Sequence, residues 1–423
     1  MSHIDSKILI ISNDAFNQSS SNGRTLMNLL KGIPAENLAQ FYIHGTPDES
    51  FCSAYYSNSD NYALRAFLGK PKIAQSTSGK SDISDNSAPT KIERNCRNLF
   101  IRDIVWRTYR WWKSDFDEFL DAFLPDIVLL QAGDAPFMYD LAMRIAQKYR
   151  ARIIMFNTEY YVLKKYMYSS VKSFSVWHSL LKARLCKQYS RIMKCVDFCI
   201  YNMEALEEAY QEKYPHENKS CSLYTVSEMR YIDGNDNDVF NLLYCGNLGV
   251  GRHEPLDEIA KALYEVDANA TLDIYGKFKF DEDRERVCSN PNVVYHGFVD
   301  YSEIPSIMAG ASMLIHCEND ERIANLKYAM STKIGDSLAS GRPFLAYASR
   351  EYPFIEYLNK NQCAHIASNV CELKEILEKC VNDADYRYKY TSNALNIAAE
   401  NHNLEKNCSK IEEIISRVAS EKK

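Results

Sequence analysis

The feature that most limits what this chain can fold into is a recurrence. Short runs of Ile, Val, Leu, Tyr and Phe, at residues 7–12, 40–44, 126–131, 152–157 and 197–202, are separated by stretches with helical spacing. Parallel strands buried on both faces read as such runs, and the helices between them are the crossovers that parallel pairing requires. The series begins again at 241–246, 271–276, 292–297, 312–317 and 343–346. Two doubly wound α/β domains are therefore expected. The length of 423 residues agrees, because single cores stop growing near roughly 250–300 residues.

Residues 231–238, Tyr-Ile-Asp-Gly-Asn-Asp-Asn-Asp, bury little apolar surface and read as the linker. The expected organisation is an acceptor-binding domain over 1–230, a donor-binding domain over 239–395, and a terminal helix over 396–423 that can cross back to the first domain. A stretch dense in Ser, Asp and Asn, 74–90, reads as a loop inside the first domain. No internal repeat is present.

Several classes of function are disfavoured at once. The 13 cysteines are scattered and odd in number, which fits reduced thiols rather than a disulfide or zinc framework. No basic flank and apolar run of a signal peptide opens the sequence, and no run of 18 apolar residues occurs. A cytoplasmic protein is expected, with any membrane contact peripheral, on the inner face. The net charge of −6 argues against nucleic acid as the partner.

In open α/β sheets, ligands sit beyond the carboxyl ends of the strands, so two such domains face to face would enclose a cleft. The chemistry should lie in the strand-to-helix loops. Strand 242–246 runs into a turn containing Gly246, Asn247 and Gly249, with Arg252 at the start of the next helix. Glycines let backbone approach a ligand closely, and an arginine at a helix start can bind phosphate; a flexible turn with an exposed arginine is the alternative. Further on, Ser331 or Thr332 can cap a helix whose free N–H groups and Lys333 point at one place, making an anion site. Asp336, on the same helix face, can accept hydrogen bonds from a ribose diol. An ordinary capped surface helix would show the same spacing.

Together these elements resemble glycosyltransferase family 4, the retaining GT-B enzymes. The likeness covers essentially the whole second domain: Gly246, Leu248 and Arg252, then Ile274-Tyr-Gly276, then Val294-Tyr-His-Gly297-Phe298, then the Lys333 segment ending Leu-Ala-Ser-Gly-Arg-Pro. The resemblance implies a GT-B fold of two Rossmann-like domains. It also implies a nucleotide-sugar donor held by the first and last elements, and a base met largely by backbone around Gly297 and Phe298. In the first domain, Gly23 at a helix start matches the glycine that faces the donor phosphates in that family. Gln131 stands where members carry a histidine. Departures are Asn247 in place of a basic residue, and Tyr328 and Asp336 in place of two glutamates.

The family passes through an ion-pair-like transition state without a protein nucleophile, which makes Arg252, Lys333 and Gln131 the candidate catalytic residues, with neither cofactor nor metal. Asp134, Glu159 and Glu318 are candidate sugar contacts. The alternatives are a helix cap for Asp134 before Pro136 and a solvated strand-end acid for Glu318 beside Asp320 and Glu321. The implied reaction is hexose transfer to a glycan or lipid-linked oligosaccharide in surface-polysaccharide synthesis. A nucleotide-sugar epimerase of the same fold, or a degenerate binding subunit, are the competing readings.

Two basic, aromatic segments shape the expected partner. Residues 91–113 carry seven Lys/Arg against two acids, and 164–194 carry eight and no acid; all four tryptophans lie there. A stripe of Arg184, Lys187, Arg191 and Lys194 beside Leu181, Leu185, Tyr189 and Ile192 can lie on an anionic membrane surface where a polyprenyl-linked acceptor would be met. A half-buried helix with a solvated basic face is the alternative.

Overall fold

The structure is a computed structural model, and it describes residues 5–17, 21–70, 95–164, 176–216, 219–231 and 239–421. The expected loop at 74–90 and, apart from Tyr231, the expected linker lie outside the described residues. So do 91–94 and 165–175 of the basic segments. The chain divides into two compact units, Met1–Leu223 with Glu405–Lys423, and Tyr224–Leu404.

The first unit is built on strands β1 (Ile8–Ile11), β2 (Leu38–Tyr42), β3 (Ala54–Ser57), β4 (Ile127–Ala132), β5 (Arg152–Asn157), β6 (Phe198–Tyr201) and β7 (Ser220–Ser222). Their order is β3-β2-β1-β4-β5-β6-β7, and every pairing is parallel. All residues of β1 and β4 are buried, as expected for strands covered on both faces. The second unit carries β8 (Asn241–Cys245), β9 (Thr271–Tyr275), β10 (Val293–Gly297), β11 (Met313–Cys317), β12 (Phe344–Tyr347) and β13 (His365–Ala367). Its order, β10-β9-β8-β11-β12-β13, is again wholly parallel. In each sheet the strand order reverses direction once, between β1 and β4 and between β8 and β11. Those switch points are where crevices open at the carboxyl edge.

Three strands escaped the sequence reading: β3, β7 and β13 are short and sit at or near sheet edges, where a long apolar run is not needed. The second strand also starts two residues earlier than expected, at Leu38.

The expected single terminal helix over 396–423 is instead the end of the helix Thr391–Asn401 followed by the whole of Leu404–Ser420. In the latter, Cys408, Ile411, Ile414, Ile415 and Val418 recur at helical spacing and are buried in the first unit. Each fully buried Ile or Val contributes on the order of 1.5–3 kcal/mol. The Cys408 thiol donates to Asn28 O, and the Arg417 guanidinium lies 4.6 Å from the centroid of the Phe198 ring. Just before this helix, Asn403 bridges in parallel to Ser227, and the His402 Nδ1 lies 2.7 Å from Thr225 O. The chain's two passages between units thus run side by side in the second unit.

Two of the four tryptophans, Trp106 and Trp111, are core residues, whereas Trp112 is half-buried and Trp177 exposed. Trp106 stacks on Phe137 (4.7 Å, 10°) and donates its indole N–H to Asp60, while Trp111 donates to Trp106 O; both are buried. Two of the four cations of the expected stripe are paired with acids, while Lys187 and Lys194 stay exposed. Arg184 is bound by Asp103 and Asp140, and Arg191 also pairs with Asp140. Sequence spacing had no way to show that acids from two other helices cover these guanidinium groups.

Candidate functional site

The second sheet ends, at its carboxyl edge, in a row of glycines. Gly246 follows β8, Gly276 follows β9 and Gly297 closes β10. The Gly246 N–H donates to Tyr275 O (2.7 Å), and the Gly276 N–H to Gly297 O (2.8 Å). Gly276 has φ +151° and Gly297 φ +79°, backbone that L side chains rarely adopt. A Cβ on Gly276 would collide with the Gly246 carbonyl oxygen. Three adjacent strand ends therefore present bare backbone. Beyond them Phe298 is 74% exposed.

Over this row lies Lys333, in the first turn of the helix Thr332–Ala339. A Cβ on Gly246 would overlap its Cδ, Cε and Nζ. Ser331 takes the N-cap position, but its hydroxyl makes no capping bond, so the first-turn N–H groups lack a side-chain cap. Among the described residues Lys333 makes no hydrogen bond or ion pair. Burial, reinforced by repulsion from Arg252, pushes its ammonium down to about 7.

Arg252 behaves differently. It occupies the N-cap position of the helix His253–Val266 and is buried. Its Nε donates to Glu318 Oε2 (3.2 Å), a second guanidinium N–H donates to Glu318 Oε1, and a third reaches Asn247 O (2.9 Å). Asn247 in turn holds its own turn closed, accepting the Gly249 N–H on Oδ1 (2.8 Å). Glu318 is buried, which corrects the expectation of a solvated strand-end acid. Burial opposes its charge, but Arg252 and His316 outweigh that and hold the carboxyl at about 2. His316 is buried beside it, Nε2 to Oε1 3.2 Å. The run Glu318-Asn319-Asp320-Glu321 looks solvated as composition; the alternation of β11, which puts His316 and Glu318 on one face, was the signal that could have found the pair.

Asp336 points elsewhere on the same helix. Its Oδ1 accepts from the Ser227 hydroxyl (2.5 Å) and from the Tyr301 hydroxyl (3.1 Å). Neither partner was singled out in the sequence, since each lies in a segment with no motif of its own.

The candidates of the first unit line a different edge. Gln131, in β4, is buried, and among the described residues its amide makes no hydrogen bond. Asp134 is buried but is not the helix cap: Ala135 holds the N-cap position, because Pro136 starts the helix at the next residue. Glu159 pairs with Lys164 (2.6 Å). Gly23 lies in the first helix Ser21–Leu29, where a Cβ would overlap Ala15 O, so close packing on the preceding loop explains the glycine there. The structure thus assembles Gly246, Asn247, Gly249, Arg252, Gly276, Gly297, Glu318 and Lys333 at one edge. It keeps Gly23, Gln131, Asp134 and Glu159 in the other unit.

No protein-family model matches the sequence, and no curated protein matches it. Solved structures do match over nearly the full length. Sucrose-phosphate synthase from Thermosynechococcus elongatus is similar with a TM-score of 0.66 at 12% identity, covering 98% of this chain and 99% of that one. HepE of Anabaena, solved with UDP and glucose, gives 0.63 at 12%, covering 97% and 99%. The lipopolysaccharide outer core galactosyltransferase WaaB gives 0.58 at 11%, covering 97% and 99%. With two parallel α/β sheets of six and seven strands, the chain has the GT-B fold.

Proposed function

We propose that this protein is a glycosyltransferase of family 4 type. It moves a hexose from a nucleotide-sugar to a glycan or polyprenyl-linked acceptor in surface-polysaccharide synthesis, with retention and without a metal. The observation that carries the reading is Lys333: a cation with no hydrogen bond or ion pair among the described residues, its ammonium 5.9 Å from the centroid of the Tyr244 ring, sunk over backbone at a helix start without a side-chain cap. A diphosphate supplies the missing charge there. Solved proteins of the same fold bind UDP and UDP-glucose, which supports a nucleotide-sugar in this position.

The chemistry asked of the chain is electrostatic. As the bond to the sugar breaks, charge builds on the departing diphosphate, and Lys333 stabilises it in a site held ready beforehand. Arg252 adds N–H donors from a frame fixed by Glu318 and Asn247. Thr332 and the first-turn N–H groups complete the phosphate cradle. Asp336, with Ser227 and Tyr301, offers the hydroxyl-binding end for the ribose, and Gln131 contributes an uncharged contact to the sugar.

Titration with UDP tests the reading directly. Lys333→Ala should weaken UDP binding at least tenfold, and near-wild-type affinity in that variant would sink the assignment. Release of UDP from a panel of donors, measured with and without a polyprenyl-linked acceptor, separates a transferase from an epimerase and from a subunit that only binds.

A further inference from the structure

The basic, aromatic segments of the first unit keep one exposed face after burial and ion pairing are accounted for. The helices Cys96–Arg107 and Val176–Ile192 pack on each other, with Phe100 and Trp177 rings 5.9 Å apart. On their outer side Ile101 (45% exposed), Val176 (73%), Trp177 (40%) and Leu180 (42%) stand in solvent. Arg97, Arg107 and Lys187 are exposed on the same two helices. The single acid of either helix, Asp103, is buried against Arg184. Exposed apolar side chains in soluble proteins usually come singly, flanked by charges of both signs. Here they are grouped, and every exposed charge on the pair is positive.

We infer that the first unit docks on an anionic lipid bilayer through this face, with Ile101, Trp177 and Leu180 entering the headgroup region and Arg97, Arg107 and Lys187 meeting lipid phosphates. The charge pattern selects this occupant, since a face with cations and no exposed acid complements an anionic surface rather than its own copy. Trp177 suits the boundary, with an apolar ring and a polar N–H. Among the described residues no helix is long and apolar enough to cross a membrane, so the attachment is peripheral. A crossover helix runs back antiparallel to its strands, so the first turn of Val176–Ile192, which follows β5, stands at the carboxyl edge of the sheet. That is the edge where Gln131 stands next to last in β4 and Glu159 follows β5. A bilayer-borne acceptor would thus be presented beside the acceptor edge. Docking itself does not depend on the transferase reading.

The test uses the full chain and vesicles of phosphatidylcholine with and without phosphatidylglycerol. Sedimentation with the anionic vesicles, little with the neutral ones, and loss of binding in high salt are expected. Trp177 emission should shift to the blue on binding. The triple variant Ile101→Ser, Trp177→Ser, Leu180→Ser should bind at least tenfold more weakly, with its melting curve and UDP affinity unchanged. Should that variant fold poorly, Arg97→Gln, Arg107→Gln, Lys187→Gln decides, because those side chains are exposed; it should lose at least tenfold as well. A wild-type protein that stays in the supernatant overturns the inference. So does a folded variant that binds like wild type, or a self-association that the triple variant abolishes while vesicles are ignored. Parallel UDP titrations keep failure here distinct from failure of the donor site.

Discussion

The two sheets have the same strand order around their switch points, yet their carboxyl edges differ in kind. The edge of the second sheet concentrates charge: Arg252, Glu318 and Lys333 crowd onto a row of glycines. The edge of the first is lined by carboxamides, with Asn13, Asn58, Gln131, Asn157 and Asn202 at or just beyond the ends of five strands. Of the two acids that follow β4 and β5, Asp134 is buried and Glu159 is paired with Lys164. A diphosphate needs compact positive charge and close backbone; a sugar hydroxyl needs groups that both donate and accept without carrying charge. One scaffold can meet both demands because strand ends and loops change without disturbing the buried strands.

The comparison breaks first at Glu318. Glu318→Ala leaves the Arg252 guanidinium buried without its counter-charge, at a cost of about 3–5 kcal/mol, so the denaturation midpoint of the variant should drop clearly. A change within about 0.5 kcal/mol is what a solvated acid would give and would mean the buried pair is not formed. Lys333→Ala comes next. Losing a charged hydrogen-bonding group costs roughly 1.5–3 kcal/mol, seen in UDP titration with the fold intact.

The same lysine sets a pH dependence. Its ammonium sits at about 7 in the free protein, whereas a bound diphosphate favours the charged form and raises it. Binding therefore takes up a proton above pH 7, and UDP affinity should fall as pH rises from about 7 to 9. Lys333→Ala should remove that slope; a wild-type affinity flat across the range argues against charge regulation at Lys333. The smallest effect belongs to the uncharged edge. Gln131→Leu should slow transfer about tenfold or less, the scale of one neutral hydrogen bond, and leave UDP affinity alone. A drop in UDP affinity instead would show that the division of labour between the edges is wrong.

Much of this was legible in the sequence. Ten of the strands announced themselves as apolar runs, and six of them, β1, β2, β4, β6, β11 and β12, are buried at every position, as strands covered on both faces are. Gly246, Gly276 and Gly297 could be picked out, since close backbone approach demands glycine wherever it occurs. The edge strands Ala-Tyr-Tyr-Ser of β3, Ser-Cys-Ser of β7 and His-Ile-Ala of β13 could not, since none carries a run of Ile, Val, Leu or Phe. Charge was read least well. Glu318 looked solvated because its neighbours in sequence are acids, and Arg184 looked exposed because its own helix carries only cations.

The sequence by itself determined the two parallel sheets, the turns that end their strands and the residue types available at those turns, all of which follow from periodicity and local backbone chemistry. Tertiary structure alone decided which charges are spent. Arg252 is bound to Glu318 and Arg184 to Asp103 and Asp140, while Lys333 makes no hydrogen bond or ion pair among the described residues and only faces the Tyr244 ring. An ion pair depends on distance and burial between residues far apart in the chain, and neither quantity is written in local spacing.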